Sequence, residues 1–258
     1  MRVAELFSLQ DKVAAVVGGT GVLGATFCRG LADAGASVAV LGRSAERGTA
    51  VVAELERFGH AAMRVTLDAT DRQQIQAAER SIVERFGGVD ILVNAAGINS
   101  TTPFFDIKED EWHRILDTNL TSMMLTCQVF GQGMVERARG GCIVNISSAS
   151  SEIPLSKVLT YGVSKAGVNS LTRYLARELA PHRIRVNALV PGFFPAEQNR
   201  RILAPERVEA ILQHTPMGRL GEPEELVGAL VWLASERAAG FVTGALIWVD
   251  GGFSATTI

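Results

Sequence analysis

The sequence predicts an α/β fold: a single doubly wound domain over residues 1–258, with about seven parallel strands and helices on both faces. Three observations predict it. Short apolar, β-branched runs recur along the chain, segments of helical periodicity separate them, and no repeat, linker or low-complexity tract divides the 258 residues. A run that is apolar throughout reads as a strand buried on both faces, and parallel neighbours need right-handed crossovers of the length seen between these runs. A chain of this size can bury a full core as one domain.

The first strand is residues 13–17 (VAAVV), followed by a glycine-rich turn and a helix over 25–34 that Gly35 closes. The second strand, 38–41, leads to a helix over 45–58 ended at Gly59; the third, 63–67, leads to a helix over 72–86 stopped by Gly87-Gly88. Glycine just past the last periodic residue is the ordinary helix stop. The fourth strand is 91–93. A long helical stretch over 109–138, a strand at 142–146 and a helix over 160–179 follow it. Strand 184–190, helix 223–234 and strand 246–249 complete the alternation.

Composition narrows the function. With 25 basic and 27 acidic residues, formally −2, no single-sign field gathers nucleic acid or an anionic membrane. Cys28, Cys127 and Cys142 are far apart and lack metal or redox spacing, which points to a reducing, cytoplasmic setting; the four scattered histidines suggest no catalytic metal. The first residues, MRVAELFSLQDK, hold no apolar core for a signal peptide, and no stretch reaches a membrane span. The expected partner is a small-molecule substrate.

In such sheets ligands bind beyond the carboxyl ends of the strands, so chemistry is sought in the residues just after each one. After the first strand comes Gly18-Gly19-Thr20-Gly21-Val22-Leu23-Gly24, running straight into a helix. Glycines there let the backbone approach a pyrophosphate and aim the helix amides at it, the mark of a Rossmann-type dinucleotide site. The second strand ends Leu41-Gly42-Arg43-Ser44, with no acid at Gly42 for the ribose hydroxyls. Arg43 suits the 2′-phosphate of NADP, so NADP(H) is favoured and NAD(H) possible; Arg43 covering the adenine or lying in solvent is the alternative. Asp68-Ala69 offers a carboxylate to the adenine amino group, or simply starts a turn.

Further strand ends carry Asn94-Ala95-Ala96-Gly97 and Asn145-Ile146-Ser147-Ser148, and a helix opens with Tyr161-Gly162-Val163-Ser164-Lys165. Tyr161 and Lys165 lie on one helical face, with Ser148 thirteen residues upstream of Tyr161 at a strand end. Moving a hydride to or from a carbinol carbon needs a group for the hydroxyl proton, and a phenol titrating near 10 must be brought down to serve as base at neutral pH. An ammonium at Lys165, helped by the positive charge of an oxidised nicotinamide, has the sign to favour phenolate, and Ser148 can donate to the substrate oxygen.

On these motifs the sequence resembles the compact branch of the short-chain dehydrogenase/reductase family nearly end to end. The resemblance implies that Asn119, in Asp-Thr-Asn-Leu, supports a proton relay through water to Lys165. It places Pro191-Gly192 and the backbone of Phe194 beside the nicotinamide. It also implies a homotetramer built on the helices over 109–138 and 160–179. Two departures stand out. Val17 and Val22 replace the family's threonine and middle glycine in the phosphate loop, which suggests a rearranged loop, and Ala196 replaces a cofactor-contacting threonine.

Residues 193–215 look like the substrate lid of D-mannonate oxidoreductase-type, sugar-acid reductase members. Glu197, Gln198, Asn199, Arg200 and Arg201 suit a polyhydroxylated anion. The expected activity is NAD(P)-dependent interconversion of a secondary alcohol and a ketone, on a mannonate-, fructuronate- or gluconate-like acid. One alternative is a 3-oxoacyl thioester reductase, for which Lys157, Arg200, Arg201 and Arg207 leave room for an acidic carrier protein. The other is a catalytically inert NAD(P)-sensing protein.

Overall fold

The computed structural model describes residues 2–194 and 205–256. Among them, seven strands form one parallel sheet: β1 (Val13–Val17), β2 (Ser37–Gly42), β3 (Ala62–Thr66), β4 (Ile91–Asn94), β5 (Gly141–Ile146), β6 (Ile184–Pro191) and β7 (Leu246–Val249). Their order is β3-β2-β1-β4-β5-β6-β7, so the chain winds outward in both directions from the β1–β4 boundary. The fold is the doubly wound α/β architecture that the alternation of runs predicts.

Strand parity decides which side chain serves which face. In β1, Ala14 and Val16 enter one apolar cluster and Val13, Ala15 and Val17 the other. After a one-turn α1 (Val3–Leu6) ahead of β1, the first cluster is completed by α2 (Val22–Asp33) and α3 (Ala45–Arg57), whose Phe27, Leu31 and Leu55 are fully buried. On the opposite face lie α4 (Arg72–Phe86), α5 (Glu109–Leu116), α6 (Ser122–Arg137) and α7 (Leu159–Leu179), with Ile75, Ile82, Phe130 and Val168 in the second cluster. Local chemistry sets the helix ends. The Ser44 hydroxyl accepts from Arg47 N at 3.2 Å to cap α3, and Asp71 accepts from Gln73 N at 2.8 Å to cap α4.

Two elements differ from the sequence-based reading. The stretch read as one helix over 109–138 is interrupted by a π-helical turn, Asp117–Thr121, between α5 and α6. Residues 205–214, read only as part of a lid, form a helix, Pro205–His214. Residues 195–204 of that lid, among them Pro195, Ala196, Glu197, Gln198, Asn199, Arg200 and Arg201, lie outside the described residues. No helix of the described residues is long and apolar enough to cross a membrane.

Candidate active site

The reversal of strand order at the β1–β4 boundary opens a cleft of about 710 Å³ at the carboxyl ends of β1, β2 and β4. The glycine loop forms one wall. Gly18 adopts φ +84°, and a Cβ there would lie 2.6 Å from Ala96 N, so both its conformation and its contact with the β4 end require glycine. Gly21 N donates to Gly18 O at 3.0 Å, closing the turn that delivers the chain into α2. This bare-backbone surface at a helix N-terminus fits the pyrophosphate of a dinucleotide. Val22, the departure from the family pattern, opens α2 with its side chain exposed and is not among the positive-φ residues, so no glycine is needed there.

Of the residues singled out from sequence, Gly18, Thr20, Gly21, Arg43, Asp68, Ala69, Ala95, Ala96 and Gly97 all line this cleft. A Cβ on Gly42 would meet Thr20 Oγ1 at 2.5 Å, so the place where an acid would sit is taken by the threonine. Asp68 serves its turn: Oδ1 accepts from Thr70 N at 2.9 Å and Thr70 Oγ1 at 2.7 Å. Those bonds, and then the Arg43 charge, hold its carboxyl below the usual carboxylate range. Arg47, Thr70, Ile98 and Arg114 also face the cleft and were missed. Arg47 lies one helical turn beyond Arg43, across the Ser44 cap, and that spacing is a usable signal.

Beyond Gly97 the three reactive side chains converge. Ser148, at the end of β5, caps a short 3₁₀ turn, Ala149–Ser151, and hydrogen bonds to the Tyr161 phenol. Lys165 Nζ lies 5.6 Å from the Tyr161 ring centroid and donates to Ile146 O at 2.7 Å. A Cβ on Gly97 would be 3.4 Å from Asn119 Oδ1 and 3.6 Å from Lys165 Nζ, so the cleft wall, Asn119 and Lys165 meet at this glycine.

A family model described as Enoyl-(Acyl carrier protein) reductase matches residues 20–254. The chain is 37% identical to 5-keto-D-gluconate 5-reductase of Escherichia coli (strain K12), covering 96% of this chain and 97% of the relative. It is 39% identical to an uncharacterized oxidoreductase, UxuB, of Bacillus subtilis (strain 168), covering 96% of each. A crystal structure of a gluconate 5-dehydrogenase from Burkholderia cenocepacia J2315, in complex with NADP and tartrate, superposes with a TM-score of 0.95 at 32% identity, over 99% of this chain and all of that one. The chain belongs to the short-chain dehydrogenase/reductase family. It is therefore an NAD(P)-dependent oxidoreductase.

The other residues carried over from the family pattern lie behind or beside the cleft lining. Asn94 is buried away from the cleft: Nδ2 donates to Asn145 Oδ1 at 2.9 Å, while Oδ1 accepts from Thr126 Oγ1 at 2.7 Å. Register explains it, since Asn94 and Asn145 are partners across β4 and β5. Leu23 packs on the α2-side core, and a Cβ on Gly24 would lie 2.1 Å from Gly18 O, so these two shape the loop from behind. Pro191, Gly192 and Phe194 lie outside the cleft lining but at the same carboxyl edge. Gly192 N donates to Val249 O at 3.0 Å, and the Phe194 ring is buried against Gly221.

The Asn119 side chain is also committed. Oδ1 accepts from Ile98 N at 2.8 Å, and Nδ2 donates to Ile98 O at 2.9 Å and Ser164 Oγ at 3.0 Å. The π-turn carries this residue, placing it between the segment after β4 and α7.

Burial governs the electrostatics of the Tyr161–Lys165 pair. Burial pushes the half-buried Tyr161 phenol up, outweighing the downward pull of the Ser148 hydrogen bond. Burial also lowers the Lys165 ammonium to about 8. Desolvation is the leading cause of the shift in both groups.

Proposed function

We propose that this enzyme interconverts a secondary hydroxyl and a ketone on a sugar acid of the gluconate type by hydride transfer, with NADP(H) preferred over NAD(H). The convergence of Ser148, Tyr161 and Lys165 beyond the Gly97 end of the dinucleotide cleft carries this reading. The nicotinamide supplies the hydride chemistry when bound. Tyr161, holding its proton at neutral pH, delivers it to the ketone oxygen during reduction and takes it back during oxidation. Ser148 donates to the same oxygen, and Lys165 supplies positive charge beside the phenol as phenolate develops. Asn119 fixes Ile98, and with it the turn beside Lys165.

The sugar-acid assignment is supported by relatives named for 5-keto-D-gluconate and gluconate, and by the polar composition of residues 197–201. NADP preference is supported by Arg43 and Arg47 on the cleft wall and by the absence of room for an acid at Gly42. We further read the chain as one domain over 1–258 with its lid over 193–215, a homotetramer, and cytoplasmic, the last because all three cysteines are free and buried. The test is a reductase panel of 5-ketogluconate, fructuronate, a 3-oxoacyl thioester and a simple ketone, each with NADPH and NADH. Sugar-acid turnover should lead, and Arg43→Ala should erode the NADPH advantage. Preference for the thioester would move the substrate to the acyl class named by the matching family model, and no turnover with any substrate would overturn the reading.

A further inference from the structure

Tyr161, Lys165 and Asn169 recur every four residues on one face of α7, and Asn169 is only 4% exposed. Its Oδ1 accepts from Ser147 Oγ at 2.6 Å. Its Nδ2 donates to Ser151 Oγ at 2.9 Å and to Glu152 Oε1 at 3.4 Å. Ser147 immediately precedes Ser148, and Ser151 follows it by three residues, so one amide grips both flanks of the turn that presents Ser148. Ser147 Oγ also reaches Lys165 O at 3.3 Å, tying the same turn to the helix one turn earlier. Inside the turn, Ser150 N and Ser150 Oγ donate to Ser148 Oγ at 3.3 and 3.0 Å. Those two bonds occupy the acceptor positions of the Ser148 hydroxyl and leave its proton for an oxygen outside the turn.

We propose that Asn169 is a positioning residue for the reaction: it locks the Ser148 turn against the helix that carries Tyr161 and Lys165, and so sets the distance between the hydrogen-bond donor Ser148 and the acid/base Tyr161. This rests on the roles proposed above for Ser148 and Tyr161. An amide suits the position because it must accept from Ser147 while donating toward Glu152. A carboxylate would accept from Ser147 and could accept from a turned Ser151 hydroxyl, but it would face the acceptor-only Glu152 carboxylate with no proton between them.

Kinetics of the purified enzyme with 5-ketogluconate and NADPH, or with whichever panel substrate turns over, test this. Asn169→Leu should lower kcat by about 10- to 100-fold, the scale of a misplaced catalytic group, while KM and NADPH affinity stay unchanged. Asn169→Asp should fall similarly, and adding Glu152→Gln should restore much of the loss, because the glutamine amide can donate to the introduced carboxylate. An unchanged kcat in both single variants overturns the proposal. So does a kcat loss matched by lost NADPH binding and a lowered melting temperature, without rescue by Glu152→Gln. Should Asn169→Leu fail to fold, Ser151→Ala cuts the same clip at one end and should show the smaller kcat loss alone.

A readout independent of turnover separates this inference from the functional assignment. The chain has two tyrosines, so in a Tyr174→Phe background the ultraviolet phenolate titration reports Tyr161 alone. Asn169→Leu should move that titration further up, because the Ser148 bond to the phenolate weakens. An unmoved titration overturns the positioning role even if no substrate has been found.

Discussion

At the scale of single residues, Lys165 carries the largest conflict between stability and chemistry. Its side chain is 3% exposed, and its pKa falls from 10.5 to about 8 through burial. Between those values the unfolded chain binds a proton that the native chain has lost, so stability rises with pH across that window; below it, folding carries the full cost of a buried ammonium. Lys165→Met should therefore abolish turnover yet stabilise the protein at pH 7, by about 1–3 kcal/mol on the scale of 1.36 kcal/mol per unit. Denaturant unfolding at pH 7 and pH 10 checks this, and the advantage should shrink at the higher pH. Tyr161 shifts the other way, above the ordinary phenol, and so holds its proton throughout the neutral range. Ketone reduction should be nearly flat with pH there, whereas alcohol oxidation should climb steadily into the alkaline range as phenolate becomes available. Tyr161→Phe should remove both activities and leave NADPH titration intact. Tyr174 is 67% exposed, so Tyr174→Phe should leave turnover and monomer stability nearly unchanged.

At the scale of elements, the phosphate loop separates two reasons for glycine. Gly18 and Gly59 have almost the same backbone, φ +84° and +83°, but a Cβ on Gly18 meets Ala96 N at 2.6 Å while one on Gly59 meets nothing within 4 Å. Gly59→Ala should cost only the left-handed backbone penalty, roughly 1–2 kcal/mol. Gly18→Ala should cost more and also weaken NADPH binding, because the loop must lift off the β4 end; melting curves and cofactor titration on both variants check the difference. The loop, the seven strands and the Ser148, Tyr161 and Lys165 grouping were legible in the sequence because each depends on local spacing: an apolar run, a glycine after a strand, two residues one helical turn apart. The π-turn at Asp117–Thr121 was not, since DTNLT continues the helical pattern on both sides and the turn is marked by a backbone bond from Ser122 N to Asp117 O, five residues back, with the bonds of Asn119 to Ile98 and Ser164 beside it. Nor was the fate of Asn94, which depends on its register with Asn145 in a strand fifty-one residues away. The clip made by Asn169 needs the same kind of knowledge, because its partners lie on a turn that packs across from α7.

For the whole molecule, α7 joins chemistry to assembly. Its inner face carries the buried Lys165, Val168, Asn169 and Thr172, while Leu159, Val163 and Tyr174 stand exposed on the outside. Residues 159 and 163 are one turn apart, and 174 falls eleven further on, three turns of helix, so the three form one apolar stripe. Such a stripe loses free energy in water and gains it against a second copy, which is the assembly proposed for this enzyme. Any such contact would press on the back of the helix that holds Tyr161 and Lys165, so oligomer state and kcat should move together. Sedimentation velocity at micromolar concentration should give a tetramer for the wild type and smaller species for the Val163→Glu/Tyr174→Glu double variant, whose carboxylates would be buried without partners. The dissociated variant should also lose kcat more than NADPH affinity, since the glycine loop and Arg43 lie on elements remote from this stripe. A wild-type protein sedimenting as a monomer would remove the homotetramer, and a dissociated variant with full kcat would show that α7 holds its catalytic face without help from a neighbour.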